Sequence, residues 1–143
     1  VLQNRGAGFT IEEGHPNQIA PNKRPLHTII PAFVTRDGQP WLSYGVMGGS
    51  MQPQGHVQVL LNLVEYGMDP QEAIDAARFR HFSGTRVAIE NLDPDVAAQL
   101  EALGHELRDP EGVAFGGGQA ILRLPRGWAA GSDPRKDGMA AGR

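Results

Sequence analysis

Alternating apolar and polar residues indicate two neighbouring β-strands in the first third of the chain. The first runs through residues 28–34 and the second through residues 41–46. Between them, Asp37 and Gly38 are residue types that tolerate the positive φ angles of a tight turn. The pattern therefore predicts an antiparallel β-hairpin.

Three later segments carry the sequence signals of helices. Residues 54–66 are apolar on most sides, which predicts a buried helix that ends at Gly67. Asp69 and Asp93 each precede a proline, the arrangement of a capping carboxylate followed by Pro at the first helical position. We therefore expect two further helices, the second of which ends at Gly104.

The remaining apolar runs predict short strands at residues 86–90, 105–108, 119–124 and 128–131. Strands, then helices, then strands along the chain suggest an antiparallel sheet covered by helices. Residues 4–25 are rich in Gly, Pro, Asn and charge, which predicts a long surface loop. The fold class expected is α+β, with residues 1–143 forming a single domain.

Composition excludes several classes of function. The net charge is −3, and no run of Lys or Arg is long enough to follow a phosphate backbone, so nucleic acid is not an expected partner. The absence of cysteine excludes disulfides, thiolate zinc sites and cysteine nucleophiles. The longest apolar stretch, residues 57–64, is too short to span a membrane. Composition does not distinguish a periplasmic from a cytoplasmic protein.

The most suggestive chemical feature is Gly48-Gly49-Ser50 between the second strand and the first helix. Backbone N–H groups at a helix start lack partners and bind anions, and such donors can form an oxyanion hole for acyl transfer. A turn with only a geometric role is the alternative. No metal site is expected, because the histidines lack the spacing of ligands. His56 is interpreted as a packed or capping residue.

Four sequence blocks, in this order and spacing, resemble those of the γ-glutamyltranspeptidases. They are residues 22–26 (Asn-Lys-Arg-Pro-Leu), 48–50 (Gly-Gly-Ser), 75–79 (Asp-Ala-Ala-Arg-Phe) and 131–135 (Gly-Ser-Asp-Pro-Arg). The resemblance implies an N-terminal nucleophile hydrolase, an αββα sandwich with antiparallel sheets. It also implies that residues 1–143 are the C-terminal portion of the small catalytic subunit. No cofactor is implied.

In this family the precursor cleaves itself, and the new N-terminal Thr of the small subunit is the nucleophile, with its own amine as base. Residue 1 here is Val, so we expect the Thr motif to lie upstream of Val1. The expected partners are the large subunit and the N-terminal segment of the same precursor. The 143-residue chain alone is expected to be inactive and to self-associate through open sheet edges, as a homo-oligomer.

The resemblance also assigns roles to individual residues. Gly48 and Gly49 match the paired glycines whose N–H groups form the oxyanion hole, which makes them the candidate catalytic residues. His27 and Thr28 fall where γ-glutamyl-specific members have two serines that bind the α-carboxylate of the substrate. Thr28 retains a hydroxyl group, whereas His27 does not.

Residues 4–9 match the substrate-binding loop of the family, beginning at Asn4. Typical members have an acidic residue before the Phe to bind the α-amino group of the γ-glutamyl substrate, but this chain has Gly8. Arg5 replaces a Gln or Glu and favours a carboxylate through its forked donors. A solvated loop charge is the alternative for Arg5. The Asn-Arg-Gly form of the loop is similar to that of certain cephalosporin acylases.

Three hypotheses of function follow from these residues. The first is a threonine-nucleophile acyltransferase or amide hydrolase acting on γ-glutamyl compounds such as glutathione. The second is an acylase of the same family for glutaryl-like amides, which Gly8 and Arg5 favour. The third is a non-catalytic fragment or binding module. The first two require a small-molecule amide substrate.

Overall fold

The computed structural model describes residues 4–142 as an α+β arrangement of strands and helices. Val1, before which the resemblance places the Thr motif, lies outside the described residues. The strands are β1 Ala32–Arg36, β2 Gln39–Met47, β3 Phe79–Ser83, β4 Arg86–Ile89, β5 Glu106–Arg108, β6 Gly117–Arg123 and β7 Trp128–Ser132. The helices are α1 Gln52–Val64, α2 Pro70–Asp75 and α3 Pro94–Ala102, and 3-10 turns occur at Asn4–Gly8 and Gly49–Met51.

A four-stranded antiparallel sheet in the order β1-β2-β6-β7 forms the centre of the fold. The predicted hairpin is confirmed as β1 and β2, and its turn has φ angles of 51° at Asp37 and 72° at Gly38. Strand β6 then pairs with β2, so that the N- and C-terminal parts of the chain meet in one sheet. The residues of the predicted hairpin therefore lie directly beside those of the last two strands.

Helices α1 and α2 cover one face of this sheet and form the core with it. From β2, Leu42, Tyr44 and Val46 are buried on this face. They pack with Val59 of α1 and Ile74 of α2 in one hydrophobic cluster. Full burial of an aliphatic side chain contributes about 1.5–3 kcal/mol each. The predicted buried helix is therefore confirmed, and it fixes the position of β2.

The second sheet differs from the prediction, because it is mixed rather than antiparallel. Its order is β3-β4-β5, and β4 pairs with β5 in parallel. The intervening α3 returns the chain to the starting end of the sheet, which is the connection that a parallel pair requires. Strand β3 was not predicted at all, because four of its five residues are exposed and it shows no alternation of apolar positions.

The predicted helix signals are confirmed in detail. The carboxylate of Asp69 accepts hydrogen bonds from the N–H groups of Gln71 and Glu72, and the Glu72 side chain accepts from the N–H of Asp69. The carboxylate of Asp93 likewise accepts hydrogen bonds from the N–H groups of Asp95 and Val96 at the start of α3, although Val96 has no side-chain acceptor to return the bond. Gly67 has a φ of 66° and ends the turn that follows α1. Each of these local signals thus marks one end of a helix.

A buried ionic network joins two of the four family-like blocks. The guanidinium of Arg78 contacts the carboxylate of Asp133 at 2.8 Å, and both side chains are essentially inaccessible to solvent. Asp133 also contacts Arg135, which in turn pairs with Glu90 of the loop after β4. Because these charges are mutually paired, the network can lie between the two sheets without an uncompensated charge.

The other face of the four-stranded sheet is open and apolar. Phe33, Met47, Ile121 and Trp128 lie on this open face and are 64%, 58%, 51% and 66% exposed. The register confirms the common face, since Ser43 is the partner of both Phe33 and Ile121.

Among the described residues, no helix has the length and apolar character needed to cross a bilayer.

Candidate active site

The glycine turn at residues 48–50 lies where β2 ends and α1 is about to begin. Gly48 has a φ of 141° and Gly49 a φ of 60°, both in the region that favours glycine. The N–H of Met51 donates to the carbonyl of Gly48 at 3.1 Å, which closes the turn. Among residues 4–142, the loop and cap hydrogen bonds include none donated by the N–H groups of Gly48 or Gly49. The turn therefore offers two backbone donors.

A second glycine segment supports this turn from the start of β6. A Cβ on Gly48 would lie 3.0 Å from the Cα of Gly116, and a Cβ on Gly116 would lie 2.6 Å from the carbonyl oxygen of Met47. The backbones therefore touch, and no side chain fits between them. Next along β6, the N–H of Gly118 donates to Asp133 at 2.6 Å. The buried ionic network thus fixes the position of the β6 segment that contacts the glycine turn.

A cavity of about 970 Å³ opens beside the glycine turn on the open face of the sheet. Its wall includes Gly48 and Gly49, Arg5 from the first loop, and Thr28 from the segment before β1. The sequence therefore predicted four residues that the fold brings to one cavity. The rest of the wall comes from residues 29–31, 43–47, 119–121, 130–131 and 139–141 together with Gln52.

Electrostatically, the cavity has one charged side chain among the described residues, that of Arg5. No Asp or Glu within residues 4–142 lies on its wall. The remaining wall is largely apolar, so the described residues place no negative charge beside Arg5 on this wall. The cavity therefore suits an anionic or neutral group better than an ammonium group.

Thr28 is fixed by α1. The side-chain amide of Gln52, a buried residue, donates to the carbonyl of Thr28 at 2.9 Å. This bond joins the segment before β1 to the start of the helix that follows the glycine turn. Sequence reasoning missed Gln52, because a single Gln at a helix start carries no distinctive signal.

Three predicted substrate-binding residues are not part of the cavity wall: Asn4, Gly8 and His27. All three are exposed. The carbonyl of Gly8 accepts a hydrogen bond from the side chain of Asn17, and the Nδ1 of His27 accepts one from the N–H of Ile29. These bonds organise the loops to which Gly8 and His27 belong. Their predicted contact with a substrate stays a prediction.

His56 lies in α1 beside the core, as predicted for a packed residue. Its Nδ1 is 2.6 Å from the carbonyl of Gln52, and its ring lies 5.3 Å from that of Tyr44.

Within the described part of the chain, no cluster of three or more ligand-type side chains could hold a metal ion.

The carboxylates of the ionic network are held in their charged form. Burial raises the pKa of Asp133, but hydrogen bonds from the N–H groups of Gly118 and Arg135 and from the Arg78 side chain outweigh burial, so the pKa is below its ordinary value. Glu90 behaves alike: burial raises its pKa, and hydrogen bonds from Arg135 and Arg78 lower it further than burial raises it. Both groups therefore support the site as fixed negative charges.

Comparison with known proteins identifies the family. The family model described as Gamma-glutamyltranspeptidase matches residues 1–143. The chain belongs to the γ-glutamyltranspeptidase family. One relative is the glutathione hydrolase-like YwrD proenzyme of Bacillus subtilis (strain 168), with 36% identity over 152 residues. The match covers 99% of this chain and 29% of the relative, so the chain spans less than a third of that protein's length.

Solved structures show the same γ-glutamyltranspeptidase-type fold. Cephalosporin acylase from Bacillus halodurans superimposes with a TM-score of 0.84 and 44% identity, over 98% of this chain and 27% of that protein. γ-Glutamyltranspeptidase from Pseudomonas nitroreducens, complexed with L-DON, has a TM-score of 0.84 and 29% identity, over 100% of this chain and 81% of that one. The predicted fold class, part of an N-terminal nucleophile hydrolase sandwich, is confirmed.

Proposed function

We propose that this chain supplies the oxyanion-stabilising and acyl-binding part of an amide hydrolase or acyltransferase that acts on γ-glutamyl compounds such as glutathione. The observation that carries the proposal is the common position of Gly48, Gly49, Arg5 and Thr28 on one cavity. The family supports the reaction class, since the matched relative is a glutathione hydrolase-like proenzyme.

The proposed chemistry is nucleophilic attack on the amide carbonyl by a Thr hydroxyl supplied by another part of the complete protein. As the tetrahedral intermediate forms, negative charge develops on the carbonyl oxygen. The N–H groups of Gly48 and Gly49 donate to that oxygen, an interaction that strengthens in the transition state. Collapse of the intermediate expels the amine, and water or a second amine then releases the acyl group.

Residues 1–143 are proposed to form the C-terminal portion of a small catalytic subunit, as one domain. The open face supports this, because four large apolar side chains there are at least half exposed. An apolar surface of this kind is typical of a contact with another polypeptide. The proposed contacts are the N-terminal segment and the large subunit of the same precursor.

A second candidate is an acylase for glutaryl-like amides, and it rests on Arg5. A glutaryl group resembles a γ-glutamyl group without its α-amino group, so it needs no acidic residue to bind an ammonium. The cavity wall has Arg5 and no acidic side chain within residues 4–142. The match to cephalosporin acylase, at 44% identity, agrees with this candidate.

Hydrolysis of γ-glutamyl and glutaryl 4-nitroanilides by the complete protein separates the two candidates. A higher kcat/KM for the γ-glutamyl anilide supports the first, and a higher value for the glutaryl anilide supports the second. No hydrolysis of either compound above a buffer control would contradict both and favour the binding module. Arg5→Ala should weaken the binding of the acidic acyl group by about 1.5–3 kcal/mol, the range of a charge-assisted hydrogen bond.

A further inference from the structure

Arg80 of β3 lies beside the glycine turn, although it is 30 residues from Ser50 in sequence. Its Nη2 donates to the hydroxyl of Ser50 at 3.2 Å, and its Nη1 donates to the carbonyl of Ala114 at 2.9 Å. The guanidinium also lies 5.3 Å from the ring of Phe82. One planar group therefore bonds two separate loops at once.

These two loops are the ones that meet at the candidate oxyanion site. Ser50 is two residues after Gly48, and Ala114 is two residues before Gly116. Gly48 and Gly116 are in backbone contact, as the 3.0 Å separation of a Cβ on Gly48 from the Cα of Gly116 requires. Arg80 therefore bridges the two loops on either side of their contact, next to the donors of the turn.

Strand β3 is itself anchored on both sides of Arg80. The side-chain amide of Gln54 bonds both the N–H and the carbonyl of His81, at 2.8 and 3.1 Å. The amide of Gln58 bonds both backbone groups of Phe79, each at 2.9 Å. The backbone that carries Arg80 is thus held by α1, the helix that follows the glycine turn.

We propose that Arg80 is a positioning residue for the N–H groups of Gly48 and Gly49, acting through Ser50 and Ala114. The inference rests on the proposed amide-cleaving function and adds a residue to its machinery. The rigid fork of Arg reaches both acceptors together, which a Lys at this position could not do. Misplaced oxyanion donors lower the rate of the chemical step while leaving ground-state binding almost unchanged.

The kinetic test compares Arg80→Ala, Arg80→Lys and Ser50→Ala in the complete protein, with the better of the two anilides as substrate. Arg86 and Ser83 form the same type of contact at the far end of the β3–β4 hairpin, so Arg86→Ala is the matched control. Arg80→Ala, Arg80→Lys and Ser50→Ala should each lower kcat about tenfold or more, with KM changed less than about twofold. The double variant of Arg80 and Ser50 should lose little more than Arg80→Ala alone.

Hydrogen exchange at the amide of Met51 provides a readout that does not need turnover. This amide closes the turn by donating to Gly48. Its exchange should be at least about tenfold faster in Arg80→Ala and Ser50→Ala and unchanged in Arg86→Ala. Unchanged kcat and exchange in both variants, or equal losses in Arg86→Ala, would overturn the role of Arg80. A wild-type protein that hydrolyses neither anilide contradicts the proposed function, and the exchange rates then decide the positioning role alone.

Discussion

Replacing Gly55 with Ala should destabilise the contact between α1 and β2, although Ala is the better helix former. Gly55 is buried in α1, directly over β2. A Cβ on Gly55 would lie 2.6 Å from the Cγ1 of Val46 and 3.2 Å from its Cβ. Because Val46 is 1% exposed and stiff at χ1, it cannot rotate away at low cost.

The magnitudes decide the sign of the effect. Ala in place of Gly inside a helix contributes about 1 kcal/mol of stability. Overpacking a filled core costs about 1–3 kcal/mol. The clash with Val46 is severe, and Gly116 packs against Val46 as well, so the cost belongs in the upper part of that range. We expect a net loss of about 1–2 kcal/mol. The glycine turn begins two residues after Val46, so it should shift when Val46 shifts, and kcat should fall.

Native-state hydrogen exchange of the complete protein measures this effect at the amides of Val59 and Leu63 in α1. Exchange should be about 5- to 30-fold faster in Gly55→Ala. Gly6→Ala is the control, since a Cβ at Gly6 has no neighbour within 4 Å and Gly6 has no positive φ. Adding Val46→Ala to Gly55→Ala removes the side chain that clashes with the new Cβ, so the acceleration of exchange should be smaller. Slower exchange in Gly55→Ala would show that helix propensity outweighs packing at this position and would contradict the predicted loss of stability.

The ionic network supports two further predictions. Asp133→Asn leaves the buried charge of Arg78 without its partner and should destabilise the fold by about 3–5 kcal/mol, measured as a loss of exchange protection in β6. The second concerns pH: the depressed pKa values of Asp133 and Glu90 stabilise the folded state above their ordinary values of 3.8 and 4.5. That contribution should be lost as pH falls below those values towards the folded-state pKa values. A thermal midpoint that stays constant from pH 7 down to about pH 2 would contradict it.

Local signals in the sequence predicted most of the elements, because each signal acts within a few residues. Asp37 and Gly38 produce their turn, and Asp69 and Asp93 cap their helices wherever the rest of the chain lies. Strand β3 was missed because its stability comes from distant partners. Gln54 and Gln58 of α1 bond its backbone from more than 20 residues away.

The same distinction holds for the candidate site. The glycines of the turn could be singled out because a strand, two glycines and a helix are adjacent in sequence. Their supports could not, since Arg80 and Asp133 come to the site only through tertiary contacts. Gln52 is only three residues after Gly49, but its bond to the distant Thr28 carbonyl has no signal in the sequence. Arg78 and Asp133 did appear in the family-like blocks, but no pattern in the sequence showed that they form a buried pair.

The most direct test of the proposed oxyanion hole deletes the N–H of Gly49 and leaves every side chain of the protein unchanged. Replacing Gly49 in the complete protein with its α-hydroxy acid analogue, glycolic acid, turns the backbone amide into an ester and deletes that N–H. Gly67 has a similar φ, 66° against 60°, and open space around it, so the same replacement there is the control. We predict that kcat for the preferred anilide falls about 10²- to 10³-fold for the ester at Gly49, with KM nearly unchanged. Equal kcat values for the two esters would contradict the assignment of Gly49 to the oxyanion hole.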